Sequence, residues 1–94
     1  MYVRWLRRAL ENLEEEFAFA ARDDPVAAER LVERIASSVA RLEKHPALGR
    51  PGRLPNTREL IIAGTSYIVP YRVRGQAIEI LRVFHGRRKW PRNL

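Results

Sequence analysis

The residues best suited to chemistry lie together near the end of the chain, directly after a strand-like run. An apolar, partly alternating segment at residues 77–84 leads into His85 and Gly86. Four cationic side chains and one indole follow: Arg87, Arg88, Lys89, Trp90 and Arg92. Strands hold side chains rigidly, and their ends often display functional groups. This segment is therefore the first place to look for an active or binding site.

One chemistry that an imidazole beside several guanidinium groups could support is metal-independent cleavage of RNA. Such cleavage needs a base for the 2′-hydroxyl proton, cations for the charged phosphorane, and an acid for the 5′-oxygen. His85 could act as the acid or the base, because imidazole titrates near neutral pH. Arg82, together with Arg87 or Arg88, could clamp the phosphate. Trp90 could stack on an unpaired base or could instead cap an edge of the core.

Two amphipathic helices are predicted before this segment. Leu6, Leu10, Leu13 and Phe17 recur at helical spacing and predict a helix over residues 7–21. Its acidic face consists of Glu11, Glu14, Glu15 and Glu16. Asp24 and Pro25 form an N-cap and first-position pair for a second helix, which ends before Pro46. Joined by a short turn, the two helices should form an antiparallel hairpin.

The remaining residues predict a loop and four strands. Residues 46–56 hold three prolines and two glycines and indicate a loop, while residues 2–6, 58–63, 66–74 and 77–84 are predicted to be strands. Pro70 lies inside the third of these, so that position must avoid a ladder donor, at an edge or a bulge. The prediction is one α+β domain over residues 1–94, in the order β-α-α-β-β-β, with the helical hairpin packed on a mainly antiparallel sheet.

Charge and composition limit the function further. The net charge is +7, but residues 1–43 sum to −2 and residues 44–94 to +9. This asymmetry indicates a polyanion or an acidic partner for the second half, the alternative being a merely soluble basic surface. There is no cysteine, and the two histidines are far apart, so we expect no metal site and no cofactor. No apolar run predicts a membrane span or a secretion signal, which makes a soluble cytoplasmic protein the expectation.

Several segments, in this order and spacing, carry a family resemblance. They are residues 5–9 (WLRRA), 46–50 (PALGR), 57–60 (TREL), 67–73 (YIVPYRV) and 80–87 (ILRVFHGR), followed by Trp90 and Pro91. Over nearly its whole length the chain resembles the RelE/ParE superfamily of bacterial type II toxins. The resemblance implies a cytoplasmic toxin that is held inactive by an antitoxin in a hetero-oligomer, and we expect that antitoxin to be acidic.

The resemblance also implies two alternative targets. RelE-like members, including YoeB, cut mRNA in the ribosomal A site, whereas ParE-like members poison DNA gyrase without nuclease activity. Arg58 matches an arginine of the superfamily, although it could instead pair with Glu59 or Glu79. The resulting prediction slightly favours a metal-independent, ribosome-dependent mRNA endonuclease. Its expected site residues are catalytic His85, Arg58 and Arg82 and RNA-binding Arg50, Arg53, Arg87, Arg88, Lys89 and Trp90.

Departures from the RelE-like pattern keep the gyrase alternative open. Gly86 stands where YoeB-like members carry a tyrosine, and the loop cations are arginines where RelE-like members have lysines. Arginine is a poor general base because it stays protonated near neutral pH. The loop has no evident equivalent of the YoeB glutamate base, and Glu59 is the nearest carboxylate.

Overall fold

The computed structural model describes residues 1–87, 90 and 94, and it has the predicted order of elements. The elements are β1 (Tyr2–Trp5), α1 (Arg7–Ala21), α2 (Pro25–Ala40), a 3₁₀ turn (Arg41–Glu43), β2 (Arg50–Pro51), β3 (Arg58–Ile61), β4 (Tyr67–Arg74), β5 (Ala77–Ile80) and β6 (Phe84–His85). The α+β fold is confirmed. Two details differ, because the predicted loop contains the short strand β2 and the last predicted strand is divided into β5 and β6.

The sheet is mixed, with one parallel pair. Its strand order is β1-β5-β4-β3-β2, and β6 pairs with β4 beyond the end of β5. Only β1 and β5 run parallel among the described strands, and their register sets Tyr2 opposite Ala77. The long central strand β4 therefore touches β3 on one side and both β5 and β6 on the other.

Helix α2 and the sheet form the core as the sequence predicted. The Asp24 carboxylate caps α2 by accepting hydrogen bonds from the backbone N–H groups of Val26 and Ala27, each at 3.1 Å. The apolar stripe of α2 and the 3₁₀ turn is buried against one sheet face. Its fully buried members and their sheet partners are Ile35, Val39, Leu42, Val69, Tyr71, Ile78 and Ile80. No helix in the described part of the chain is long and apolar enough to cross a bilayer.

Helix α1 packs through only part of the face predicted. Leu13 packs against the core as predicted, but Leu10 and Phe17 are 45% and 36% exposed, whereas Ala9 and Glu16 are buried. Glu16, predicted on the exposed acidic face, accepts a 2.7 Å hydrogen bond from the Tyr67 hydroxyl of β4. Because that bond satisfies a buried carboxylate, the helix can turn this face toward the sheet.

Pro70 lies opposite a bulge, which is one of the two positions predicted for it. The Pro70 carbonyl accepts a 3.0 Å hydrogen bond from the N–H of Leu81. Since the backbone nitrogen and carbonyl of one strand residue face the same neighbour, the Pro70 nitrogen, which carries no hydrogen, also faces that segment. Between the pairs Tyr71–Ile80 and Ile68–Phe84, two residues of β4 face the three residues 81–83. The proline therefore costs no ladder bond, and the extra residue accounts for the break between β5 and β6.

Candidate functional site

The sheet has one face covered by the helices and one face turned away from them, which we call the open face. Side chains alternate along a strand, so the neighbours of the core residues Tyr71 and Ile78 point to the open face. The charged side chains there are Arg4 of β1, Arg50 of β2, Glu59 of β3, Arg72 and Arg74 of β4, and Glu79 of β5. They form two groups, each centred on a buried glutamate.

The first group, the Glu79 cluster, consists of Glu79 with Arg4, Arg72 and Arg74. Arg72 Nε lies 2.7 Å from Glu79 Oε1, Arg74 Nε lies 3.7 Å from the same oxygen, and Arg4 Nη1 lies 3.8 Å from Oε2. The hydrogen bond from Arg72 is the main cause that lowers the pKa of the Glu79 carboxyl, and the charges of the three arginines add to it against the effect of burial. None of these four residues was among the predicted site residues.

The lowered pKa of Glu79 makes a testable contribution to stability. A carboxyl whose pKa is lower in the folded state stabilises the fold above its ordinary value of 4.5, and this contribution is lost as the pH falls through the folded pKa. Glu79→Gln should therefore be less stable than wild type near neutral pH, and the gap in free energy of unfolding should shrink below about pH 4.5. Urea unfolding of both proteins across this pH range measures the difference in free energy of unfolding. A difference that does not change with pH would contradict a lowered pKa of Glu79. Glu33→Gln, which replaces an exposed carboxylate of α2, is the control.

The second group, the Glu59 cluster, consists of Glu59 with Arg50 and Arg53. Arg50 donates from Nε and Nη2 to Glu59 Oε1 at 3.2 and 3.0 Å, and the backbone N–H of Arg53 donates to Oε2 at 3.0 Å. Glu59 is only 3% exposed, yet both arginines are about half exposed. The Glu59 carboxylate therefore holds the predicted loop against β3. It also keeps Arg50 and Arg53, two of the predicted RNA-binding residues, close together.

An aromatic column, made of two adjacent rings with a guanidinium group at each end, connects this loop to the bulge. The Arg53 guanidinium carbon lies 3.7 Å from the Trp90 ring centroid, Trp90 lies 4.7 Å from Phe84, and the Arg82 guanidinium carbon lies 4.8 Å from Phe84. Arg82 also donates from Nε to Asn12 Oδ1 at 2.8 Å. Both Arg82 and Trp90 are thus engaged in packing within the fold.

His85 lies outside both clusters. It is opposite Tyr67 in the register of β4 and β6, and the two rings meet edge to face with centroids 5.4 Å apart. Its Nδ1 accepts a 3.3 Å hydrogen bond from the backbone N–H of Arg87. The shallow cleft that contains His85 and Arg87 is lined on its other side by Phe19 and Ala20 of α1.

Arg58 points to the core side of the sheet, where it holds a turn. Its Nη1 donates to the carbonyls of Gly49 at 2.8 Å and Ala47 at 3.4 Å. The buried Tyr71 hydroxyl donates to the Pro46 carbonyl at 2.7 Å and accepts from the Gly49 N–H at 2.8 Å. Burial raises the pKa of Tyr71, against smaller opposing effects of the Gly49 hydrogen bond and the Arg58 charge. The alternative that Arg58 pairs with Glu59 or Glu79 is wrong, because its described partners are backbone carbonyls.

The structure brings some of the predicted site residues together and separates others. Arg53, Arg82 and Trp90 share the aromatic column, and Arg87 adjoins His85. Arg58 is opposite Tyr71 on one side of β4, and His85 is opposite Tyr67 on the other side. These two positions of β4 are four residues apart, which corresponds to about 13 Å along the strand. Arg88 and Lys89 lie outside the described residues.

Within the described residues, no group of three histidine or carboxylate side chains could hold a metal ion. What the site offers is a set of guanidinium groups, of which those of Arg50, Arg58, Arg72 and Arg82 are hydrogen-bonded within the fold.

Comparison with known protein families and sequences shows which proteins this chain is similar to. The family model for the ParE toxin of the type II toxin-antitoxin system, parDE, matches residues 3–90. A relative from Sinorhizobium fredii (strain NBRC 101917 / NGR234), named "Putative toxin Y4kP", is 48% identical over 92 residues, covering 98% of this chain and 95% of the relative. Together these define the class of protein as a toxin of a type II toxin–antitoxin system.

Comparison with solved structures places the chain among the same proteins. The fold is similar to a chain of the chromosomal ParDE system of P. aeruginosa, with a TM-score of 0.84, 28% identity, and coverage of 90% of this chain and 95% of that one. It also shares the fold of a chain from the RelBE2 toxin–antitoxin complex of Mycobacterium tuberculosis, with a TM-score of 0.65, 24% identity, and coverage of 89% and 95%. The protein belongs to the ParE toxin family, within the RelE/ParE superfamily.

Proposed function

We propose that this toxin acts as a ParE-like inhibitor of DNA gyrase, by binding rather than by cutting RNA. The observation that carries the proposal is the separation of Arg58 from His85, with β4 between them. General acid–base cleavage requires its proton donor, proton acceptor and cations within reach of a single phosphate. The match to the ParE family over residues 3–90 supports the same choice.

Ribosome-dependent mRNA cleavage stays the alternative prediction. It would use His85 with the adjoining Arg87, but the described contacts of the imidazole include no carboxylate that could serve as a partner base. Arg82 is bonded to Asn12 and Arg58 to two carbonyls, so both would have to release these contacts to clamp a phosphate.

We further propose that an antitoxin binds this chain and holds it inactive in the cytoplasm. The ParDE and RelBE2 structures that share the fold are toxin–antitoxin systems. The net charge of +7 would favour rapid association with an acidic antitoxin segment.

The two mechanisms give opposite results when the chain is induced in cells. Gyrase inhibition should cause a DNA-damage response and trapped DNA breaks while mRNA stays intact, and the purified protein should block supercoiling by purified gyrase. His85→Ala should keep this activity, as should His45→Ala, which replaces the exposed histidine outside the site. Prompt translation arrest with mRNA cut at codons, abolished by His85→Ala but not by His45→Ala, would establish the endonuclease instead.

A further inference from the structure

Charge is divided between the two layers of the molecule. Residues 7–43, which form the helical layer, carry nine of the eleven carboxylates of the chain. The other two are Glu59 and Glu79, and both are in ion pairs with arginines of the open face. The Glu59 and Glu79 clusters together hold five arginines and two glutamates, a net charge of +3.

The arginines of the Glu79 cluster form one compact cationic group. The backbone positions of Arg72 and Arg74 are about 7 Å apart along β4, and those of Arg4 and Arg72 are about 10 Å apart across the sheet. All three side chains lie within 3.8 Å of the Glu79 carboxylate, so their guanidinium groups are close enough together to bind one phosphate or two neighbouring ones. The side chains of Arg4 and Arg74 are 63% and 67% exposed.

The contacts with Glu79 leave most of the guanidinium donors directed to solvent. Arg72 and Arg74 each approach Glu79 through Nε, and Arg4 approaches it through one Nη. A guanidinium carries five N–H donors, so each of the three can also bind a phosphate oxygen. The hydrogen bond from Arg72 to the buried carboxylate limits the motion of that side chain, which lowers the entropy lost when a ligand binds.

The surface between these arginines fits a polyphosphate better than a protein. Ala77 is opposite Arg74 on the open face and is only 7% exposed, and the exposed apolar side chain beside it is Tyr2, at 56%. Protein partners of ordinary affinity rely on apolar anchors in pockets, whereas a phosphate backbone is bound chiefly through charge. This region offers three cations and no described apolar pocket between them.

We propose that the open face binds the phosphate backbone of duplex DNA, through Arg4, Arg72 and Arg74 of the Glu79 cluster. The inference rests on the proposed function, because the DNA held by gyrase would be the duplex that the toxin contacts. It adds a direct protein–DNA contact to an inhibitor that would otherwise touch only the enzyme.

Binding of the purified protein to a labelled DNA duplex, measured at several salt concentrations without gyrase, tests the inference. Replacing both Arg72 and Arg74 by alanine should lower the slope of log K against log salt by about 2 and weaken binding about tenfold at low salt. The matched control replaces Arg22 and Arg30, which are exposed on the helical layer, and removes the same charge. Thermal unfolding of both double variants checks that each is folded.

Three results would overturn the inference. Equal weakening by both double variants would mean that only net charge matters. Competition by poly-glutamate as effective as unlabelled duplex would indicate an acidic protein partner, and binding to single-stranded RNA but not to duplex would indicate an RNA ligand.

A parallel gyrase assay separates this inference from the proposed function. If wild type binds duplex but leaves supercoiling unaffected, the gyrase proposal fails and the DNA-binding site stands. If the Arg72/Arg74 variant loses duplex binding but inhibits gyrase like wild type, the DNA-binding site stands and its proposed part in gyrase inhibition is wrong.

Discussion

Replacing Gly49 by alanine should lower the free energy of unfolding by about 3 kcal/mol. This is one of the largest effects that we expect from adding a single methyl group to this chain. A Cβ at this position would lie 2.7 Å from Tyr71 Cε1, 2.8 Å from its hydroxyl oxygen and 3.0 Å from the Glu59 carbonyl oxygen. The tyrosine is fully buried and cannot move aside. The added methyl would therefore break the two hydrogen bonds by which Tyr71 holds the turn at residues 46–49.

Urea unfolding at neutral pH measures this loss, and a glycine with a different constraint is the control. Gly75 has a φ of 60°, and a Cβ added there would meet no atom within 4 Å. Gly75→Asn should therefore be tolerated, because asparagine adopts positive φ readily. If Gly49→Ala were as stable as Gly75→Asn, the close contact with Tyr71 would not be a real constraint.

Replacing Glu59 by alanine should cost about 2–3 kcal/mol, because three hydrogen bonds to a buried carboxylate would be lost. The loss should be concentrated in the loop that follows β2, since the backbone N–H of Arg53 would no longer be held. Arg53 would then also leave the ring of Trp90. Both the stability of the whole protein and the order of this loop should fall.

Trypsin distinguishes the local effect from the global one. Cleavage after Arg53 should become faster in Glu59→Ala than in wild type under conditions where both are folded. Glu29→Ala, which removes an exposed carboxylate from α2, should leave the cleavage rate unchanged and alter stability by no more than about 0.5 kcal/mol. Unchanged cleavage after Arg53 in the Glu59 variant would show that the cluster does not hold the loop.

The sequence predicted the helices and most strands because their periodic patterns are local. Residues 7–21 and the start of α2 at Pro25 agree with the structure, since spacing and capping suffice to define them. The packing face of α1 could not be derived in this way. It depends on the bond between Glu16 and Tyr67, which are 51 residues apart. Ala9, Glu16 and Ala20 do share a helical face, and that alignment was the available signal.

The candidate site was harder to predict than the fold because it depends on strand register. Arg58 and His85 both lie at the ends of strands, but the register places them at different positions along β4. The Glu79 cluster joins β1, β4 and β5, so its members become neighbours only when the sheet order is known. Strand β2 was missed because two residues carry no periodicity, and its position follows from the Glu59 ion pairs.

The parallel pairing of β1 with β5 also has a consequence for the order in which the fold is assembled during synthesis. Tyr2 and its partner Ala77 are 75 residues apart, so β1 cannot join the sheet until β5 has been synthesised. Contacts of such long separation form slowly. Since Arg4 reaches Glu79 only through this pairing, the Glu79 cluster is completed only after β5 has been translated. A chain that stops before β5 should therefore lack both this cluster and the partner strand of β1.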